Sequence, residues 1–235
     1  MKMNSKLRGG FTLVELLVVI VIIAALAGLT APMVIRQRKK ADQTEAVNNA
    51  RQIGLALMDF ETEYGTFPDA LTGAAVATAT ETDPIIKPDA NSRFRQLIRA
   101  GIVESESIFY AKTAFTKKPD GVFNTDEKAL AGGEVGFSMI VKADGKGLSA
   151  AGNPSRPIII APSKESRDGT FDSDFYDGKA VVLKLDNSVT SLNIIKSSGN
   201  VINNGKRLLE GGADTVWGDS ATGITPAFSH PELKK

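Results

Sequence analysis

The stretch GGFTLVELLVVIVIIAALAGLTAPMVI, residues 9–35, decides how the chain is read. From Phe11 to Ile35 it carries a single charge, Glu15. At 1.5 Å per helical residue this run spans about 37 Å, enough for a hydrocarbon core of about 30 Å. The ten residues before it hold Lys2, Lys6 and Arg8 and no acid. An ionised carboxylate inside such a run costs about 3 kcal/mol or more to insert, so Glu15 needs a reason to be there.

Two ordinary readings leave that carboxylate unexplained. A secretory signal peptide would use Ala25-Leu26-Ala27 as its small-x-small site and would release a chain starting near Gly28. A plain membrane anchor gains no orientation from charge, because Arg36, Arg38, Lys39 and Lys40 flank the far end as heavily as the leader flanks the near one.

A third reading uses the residues the others leave over. Gly9-Gly10-Phe11-Thr12-Leu13-Val14-Glu15 resembles the processing motif of type IV pilins and type II secretion pseudopilins. The resemblance combines a short basic leader, glycine, phenylalanine, Thr-Leu-x-Glu and an unbroken apolar run. It is strong over residues 1 to about 65 and beyond that is one of architecture. It implies cleavage between Gly10 and Phe11 by a prepilin peptidase and N-methylation of Phe11. It also implies assembly roles for Glu15 and for Pro32, which falls where many family members carry a helix-kinking proline.

Cleavage after Gly10 would create a cationic amine four residues before Glu15. The carboxylate could then meet its own amine at i,i+4 spacing. It could instead meet Phe11 of a neighbouring subunit, as the family implies. In that case every other axial register leaves two unpaired charges. A third possibility is simple solvation at the membrane interface.

Beyond the apolar run, Ala46, Ala50, Ile53, Leu57, Phe60 and Tyr64 recur at alternating spacings of four and three, a narrow helical stripe. The expectation is one helix over 11–64, with 11–35 as transmembrane segment or filament core and the rest as a spine for a head domain. Gly65, followed by Thr66-Phe67-Pro68, ends it. Gly28 and Pro32 are places where it could bend or locally melt. Residues 69–92, rich in Ala and Thr with Pro84 and Pro88, read as a long surface loop. Asn91 or Ser92 then caps a short helix from Arg93 to Ala100, whose arginines, Arg93, Arg95 and Arg99, read as a solvated face ahead of an anion patch.

The rest of the 65–235 head reads as strands. Ser107–Tyr110, Val135–Val141, Pro157–Ala161, Lys179–Leu185 and Val189–Ile195 are short and β-rich. The last two flank Asp186-Asn187-Ser188, which predicts a hairpin. One long helix followed by antiparallel strands is an α+β plan, the helical spine on a small sheet that the pilin resemblance implies. Trp217 is expected to be buried as an anchor, and the last ten residues to be loose.

Nothing in the composition points to catalysis. There is no cysteine, and His230 is the only histidine, so thiol chemistry and histidine-rich metal sites are out of reach. No glycine-rich phosphate loop opens a helix after a strand. A net charge of +1 gives no pull toward nucleic acid. One cluster stands out: Asp168, Asp172, Asp174 and Asp177 lie within ten residues. Calcium takes several oxygens from a flexible loop, and some major pseudopilins hold calcium in a loop of the sheet. The spacing is not that of an EF-hand, and Asp with Gly also makes ordinary turns.

The sequence therefore predicts a non-enzymatic filament subunit, a pilin or a secretion pseudopilin. The resemblance implies a single-pass inner-membrane precursor with its head outside the cytoplasm. Its implied partners are other pilins or pseudopilins, the prepilin peptidase, the inner-membrane assembly platform and the lipid bilayer. Two alternatives differ in class: a minor pilin-like adhesive or binding protein that does not polymerise in bulk, and a secreted enzyme behind an ordinary signal peptide.

Overall fold

The computed structural model describes residues 11–125, 128–166, 168–218 and 223–234. The chain forms two compact units, Met1–Lys39 and Lys40–Lys235. The first contains the apolar half of helix α1, which spans Leu13–Tyr64. Residues 13–35 are all exposed, and one window has a mean hydropathy of 2.8. Helix geometry continues through Gly28 and Pro32 without a break. Pro32 has no N–H, so its turn lacks one backbone bond, while Thr30 satisfies its hydroxyl locally by donating to the Leu26 carbonyl at 3.0 Å.

In the second unit the predicted stripe becomes the inner face of α1. Ala46, Ala50, Ile53, Leu57 and Phe60 are fully buried. Tyr64 is half-buried and stacks on Phe60 with ring centroids 4.6 Å apart. Burying Ile53, Leu57 and Phe60 is worth about 1.5–3 kcal/mol each. Gly65, at φ +84°, ends the helix and donates to the Glu61 carbonyl at 2.7 Å.

The stretch expected to be a long loop holds a helix, α2, Ala70–Thr80. Asp69 is its N-cap: its carboxylate accepts from Leu71 N and Thr72 N, and Thr72 Oγ1 accepts from Asp69 N. That is a capping box with Thr in place of the usual Glu, and its apolar helix is too Ala-rich to show a stripe. Helix α3 runs Ala90–Arg99, three residues earlier than expected, because Asp89 rather than Asn91 or Ser92 is the cap, accepting from Ser92 N at 2.7 Å.

Among the described residues seven strands make one antiparallel sheet: β1 Ser138–Lys142, β2 Pro157–Ala161, β3 Lys179–Lys184, β4 Val189–Ile195, β5 Asn200–Asn203, β6 Lys206–Arg207 and β7 Pro226–Ser229. The order is β6-β5-β4-β3-β2-β1-β7. The β3–β4 hairpin is present as expected, with Leu183 opposite Val189 and Asn187 at φ +59° in the turn. The α+β plan of a helical spine packed on an antiparallel sheet is thus the fold of the second unit.

Two strand expectations change, and so does the expectation of a loose tail. Ser107–Tyr110 is not a strand; Glu106–Phe109 is a single 3₁₀ turn, with Phe109 stacked on Phe94 at 4.8 Å. The strand expected over Val135–Val141 begins only at Ser138. Gly136 bonds to the Phe109 carbonyl, and a Cβ there would overlap the Ala111 backbone, so this piece belongs to the 109–111 segment and not to the ladder. The tail is not loose: β7 pairs with β1, with Met139 opposite Ser229, a contact too distant in sequence for local patterns to show.

Candidate functional site

The residues singled out by the sequence fall in two places. At the start of α1, Thr12 and Glu15 form a reciprocal cap. Thr12 N and Thr12 Oγ1 each donate to Glu15 Oε2 at 2.8 Å, and Glu15 N donates to Thr12 Oγ1 at 3.2 Å. The leading N–H groups of a helix lack intrahelical partners, and this arrangement supplies partners for two N–H groups at this end, Thr12 N and Glu15 N. Both carboxylate bonds go to Oε2; Oε1 takes none from a described residue. Phe11 is exposed beside them. Gly10 and the rest of the leader 1–10 lie outside the described residues. Pro32 lies in the exposed apolar stretch of α1.

The four aspartates lie in turns between β2 and β3. Asp168 Oδ1 accepts from Thr170 N at 3.0 Å, and Asp172 Oδ1 accepts from Asp174 N at 2.9 Å. The Thr170 hydroxyl and amide hold the Asp168 carboxyl below the usual range. Tyr176, Asp177 and Gly178 all have positive φ, which turns the chain sharply into β3. No three of the four carboxylates come within ligand distance of one another among the described residues.

A different acidic group does converge, from residues that no local pattern links. Glu106, Asp120 and Glu134 bring carboxylate oxygens within 4.8 Å of one another. Glu106 and Glu134 are buried. Glu106 takes Leu130 N at 2.6 Å on Oε1 and Gly121 N at 3.0 Å on Oε2. Glu134 Oε2 takes Ala131 N at 2.7 Å. No donor is aligned on Glu134 Oε1, yet the Lys117 ammonium lies 3.1 Å from it. That contact is an ion pair without hydrogen-bond geometry, and the lysine supplies the charge a cation would bring. Burial pushes the Glu106 carboxyl up, with Glu134 and Asp120 adding to the shift against the two amide bonds. Glu106 thus ties Gly121 and Leu130 to the 3₁₀ turn.

Two of the three arginines of α3 are not on a solvated face; Arg99 is half-exposed. Arg93 and Arg95 are buried. Arg93 donates to the Pro68 carbonyl at 2.6 Å, the Gly145 carbonyl at 2.9 Å and Ser229 Oγ at 3.0 Å. Arg95 donates to the Ala129 and Leu130 carbonyls at 2.6 and 3.0 Å, and Arg99 to the Asp83 carbonyl. The guanidinium forks hold loop carbonyls, and Arg95 also lies 3.8 Å from the Glu232 carboxylate. Trp217 is fully buried, with Nε1 donating to the Leu208 carbonyl at 3.1 Å, as an anchor should be.

His230 follows β7 and stacks on Phe228 at 5.1 Å. Its Nδ1 is 3.4 Å from Ser138 Oγ, which is 2.7 Å from Ser163 Oγ. Both serines are buried, so neither hydroxyl is presented to a substrate. An open depression of about 490 Å³ lies beside β5, lined by Asp168, Arg207, Leu208, Glu210 and Phe228 among others. Its lining holds no histidine or hydroxyl nucleophile.

Comparison with known proteins bears on the N-terminal end. Residues 5–31 match the family described as "Prokaryotic N-terminal methylation motif". The chain is 34% identical over 80 residues to "Type II secretion system core protein G" of Pectobacterium carotovorum subsp. carotovorum, covering 34% of this chain and 49% of that one. It is 33% identical over 91 residues to the protein of the same description from Escherichia coli K12, covering 39% and 62%. It is 35% identical over 79 residues to "Fimbrial protein" of Neisseria meningitidis serogroup B, covering 34% and 46%. The chain spans about half the length of the curated relatives it matches. No solved structure matches it.

Proposed function

We propose that this chain is a structural subunit of a type II secretion pseudopilus or a type IV pilus. It is made as a membrane-inserted precursor, cut between Gly10 and Phe11 by a prepilin peptidase, and N-methylated on Phe11. The observation that carries the reading is the methylation motif over residues 5–31 leading directly into an exposed apolar helix of bilayer length. The relatives named for secretion and for fimbriae support the same reading.

In this reading Glu15 has two tasks. Oε2 caps its own helix through Thr12, and this cap needs nothing from the leader, so it survives cleavage. Oε1 accepts the new Phe11 amine of a neighbouring subunit, which sets axial register. Other pilins or pseudopilins, the peptidase and an inner-membrane assembly platform are the partners. The head lies outside the cytoplasm, its fold held by α1, α3 and the sheet, with no catalytic role.

The test is the mass and N-terminal sequence of the mature protein from its native host. A chain beginning at methylated Phe11 supports the reading. A start near Gly28 would discard the apolar helix, and the filament reading with it.

A further inference from the structure

A small pocket of about 240 Å³ opens beside α1 in the second unit, lined by Glu45, Glu106, Tyr110, Lys118, Pro119 and Phe123 among others. Small-molecule sites usually measure about 300–1,000 Å³. This one has the room of a single long side chain. Its lining and the acid group behind it bring together the carboxylates of Glu45, Glu106, Asp120 and Glu134. Lys117 and Lys118 stand against them, which leaves a negative surplus. Glu45 is exposed, and the positions three and four places from it on α1 are Ala41, Asp42, Asn48 and Asn49, none of them a cation. Burial pushes the Tyr110 hydroxyl up, and Glu45 and Asp42 add to the shift.

The walls decide which kind of cation fits. A hard metal ion takes about six to eight oxygens. Here both Glu106 oxygens already accept backbone amides, and Tyr110, Pro119 and Phe123 bring apolar rings. Such walls suit the methylene stem of a lysine or arginine, with its charged end on a carboxylate or over an aromatic face. The chain carries a complementary segment of its own. Arg38, Lys39 and Lys40 are consecutive cations; Arg38 and Lys40 are exposed and Lys39 is half-buried. A filament that packs apolar runs side by side brings the residues after Ile35 against a neighbour's α1. We infer that the pocket takes a lysine or arginine side chain from the Arg38–Lys40 segment of a second copy of the chain. This rests on the filament reading and adds a charge contact between copies beyond the apolar run. Pocket and segment are different surfaces, so the contact is heterologous and repeats along an open assembly.

The experiment uses filaments of the full chain sheared from its native host and treated with a water-soluble carbodiimide, which joins a lysine amine to a carboxylate in contact with it. Arg38→Lys is run in parallel, so that every position of the segment can react. The expected result is a covalent dimer whose joined peptides pair the 38–40 segment with Glu45, and its loss in Glu45→Gln. Charge reversal gives a second arm, with filament yield taken relative to subunit in the membrane fraction. Glu45→Lys alone and R38E/K39E/K40E alone each lower the yield by about tenfold or more, because like charges meet. The combined variant regains it. Dimers joined only through other residues would overturn the proposal. So would a combined variant no better than its parents, the result a metal ion or a different partner in the pocket would give. A host that yields no filaments and a mature chain starting near Gly28 would instead overturn the filament reading itself.

Discussion

Arg93 joins three segments that are far apart in sequence, through Pro68, Gly145 and Ser229. Hydrogen bonds from a charged donor contribute about 1.5–3 kcal/mol each, and breaking them here strands buried acceptors. Arg93→Met is expected to cost about 2–4 kcal/mol, read as a lower urea midpoint of the full chain in detergent. Arg93→Lys cannot span a planar fork and should recover only part of the loss. Glu106 gives a pH-dependent counterpart. Its folded carboxyl titrates above its ordinary value of 4.5, so the folded state takes up the proton first. Its contribution to stability therefore grows as pH falls through the window between the raised value and 4.5, and fades as pH rises through the raised value. Glu106→Gln keeps one acceptor but leaves either Leu130 N or Gly121 N without a partner, at about 1–3 kcal/mol. The gap between wild type and this variant should widen from neutral to mildly acidic pH in paired urea titrations. A gap that narrows on acidification would contradict the assignment.

At the scale of elements, α2 shows where local propensity and packing disagree. Gly73 is buried inside this helix, and glycine there costs about 1 kcal/mol against alanine. Yet a Cβ at 73 would overlap the Ile85 carbonyl oxygen and press on Gln96 Nε2. Gln96 itself ties α3 to the start of α2, donating to the Asp69 carbonyl at 2.8 Å and accepting from Thr72 Oγ1 at 2.8 Å. Overpacking against backbone costs about 1–3 kcal/mol. Gly73→Ala should therefore destabilise the head by about 1–2 kcal/mol net, although it improves the helix; a raised melting midpoint would show that the loop at 85 yields. The same elements explain what sequence could and could not show. α1 was legible because its stripe repeats over five turns and Gly65 closes it. Strands β2 and β4 were legible to the residue because β-branched runs meet strong turns. α2 was missed and α3 was started late because their caps, Asp69 and Asp89, were read as loop residues. β7, the Glu106–Glu134 pairing and the arginine contacts depend on residues far apart in sequence, which no local window contains. Thr12 was quoted as part of a motif, but its role as partner of Glu15 is geometric and was missed.

At the scale of the whole molecule, the question is what Glu15 does beyond capping its helix. Glu15→Ala removes the cap and the charge together, so loss of filaments in that variant has two explanations. Glu15→Gln separates them. A glutamine side-chain oxygen can still accept from Thr12, as glutamine does in capping boxes, while the charge is gone. Insertion becomes easier, because a neutral amide costs less in an apolar layer than an ionised carboxylate. The peptide bond between Gly10 and Phe11 is unchanged. The expectation is that Glu15→Gln reaches the membrane fraction at the wild-type level and loses its leader. It then fails to assemble, because the Phe11 amine of each neighbour has no anion to meet and no register is preferred. Membrane fractionation, N-terminal sequencing and electron microscopy of sheared filaments read these three steps separately. Normal filaments from Glu15→Gln would mean that register is set by apolar packing along α1 and that the carboxylate serves only its own helix. Filaments lost in Thr12→Val as well, with the charge intact, would instead assign the requirement to the cap.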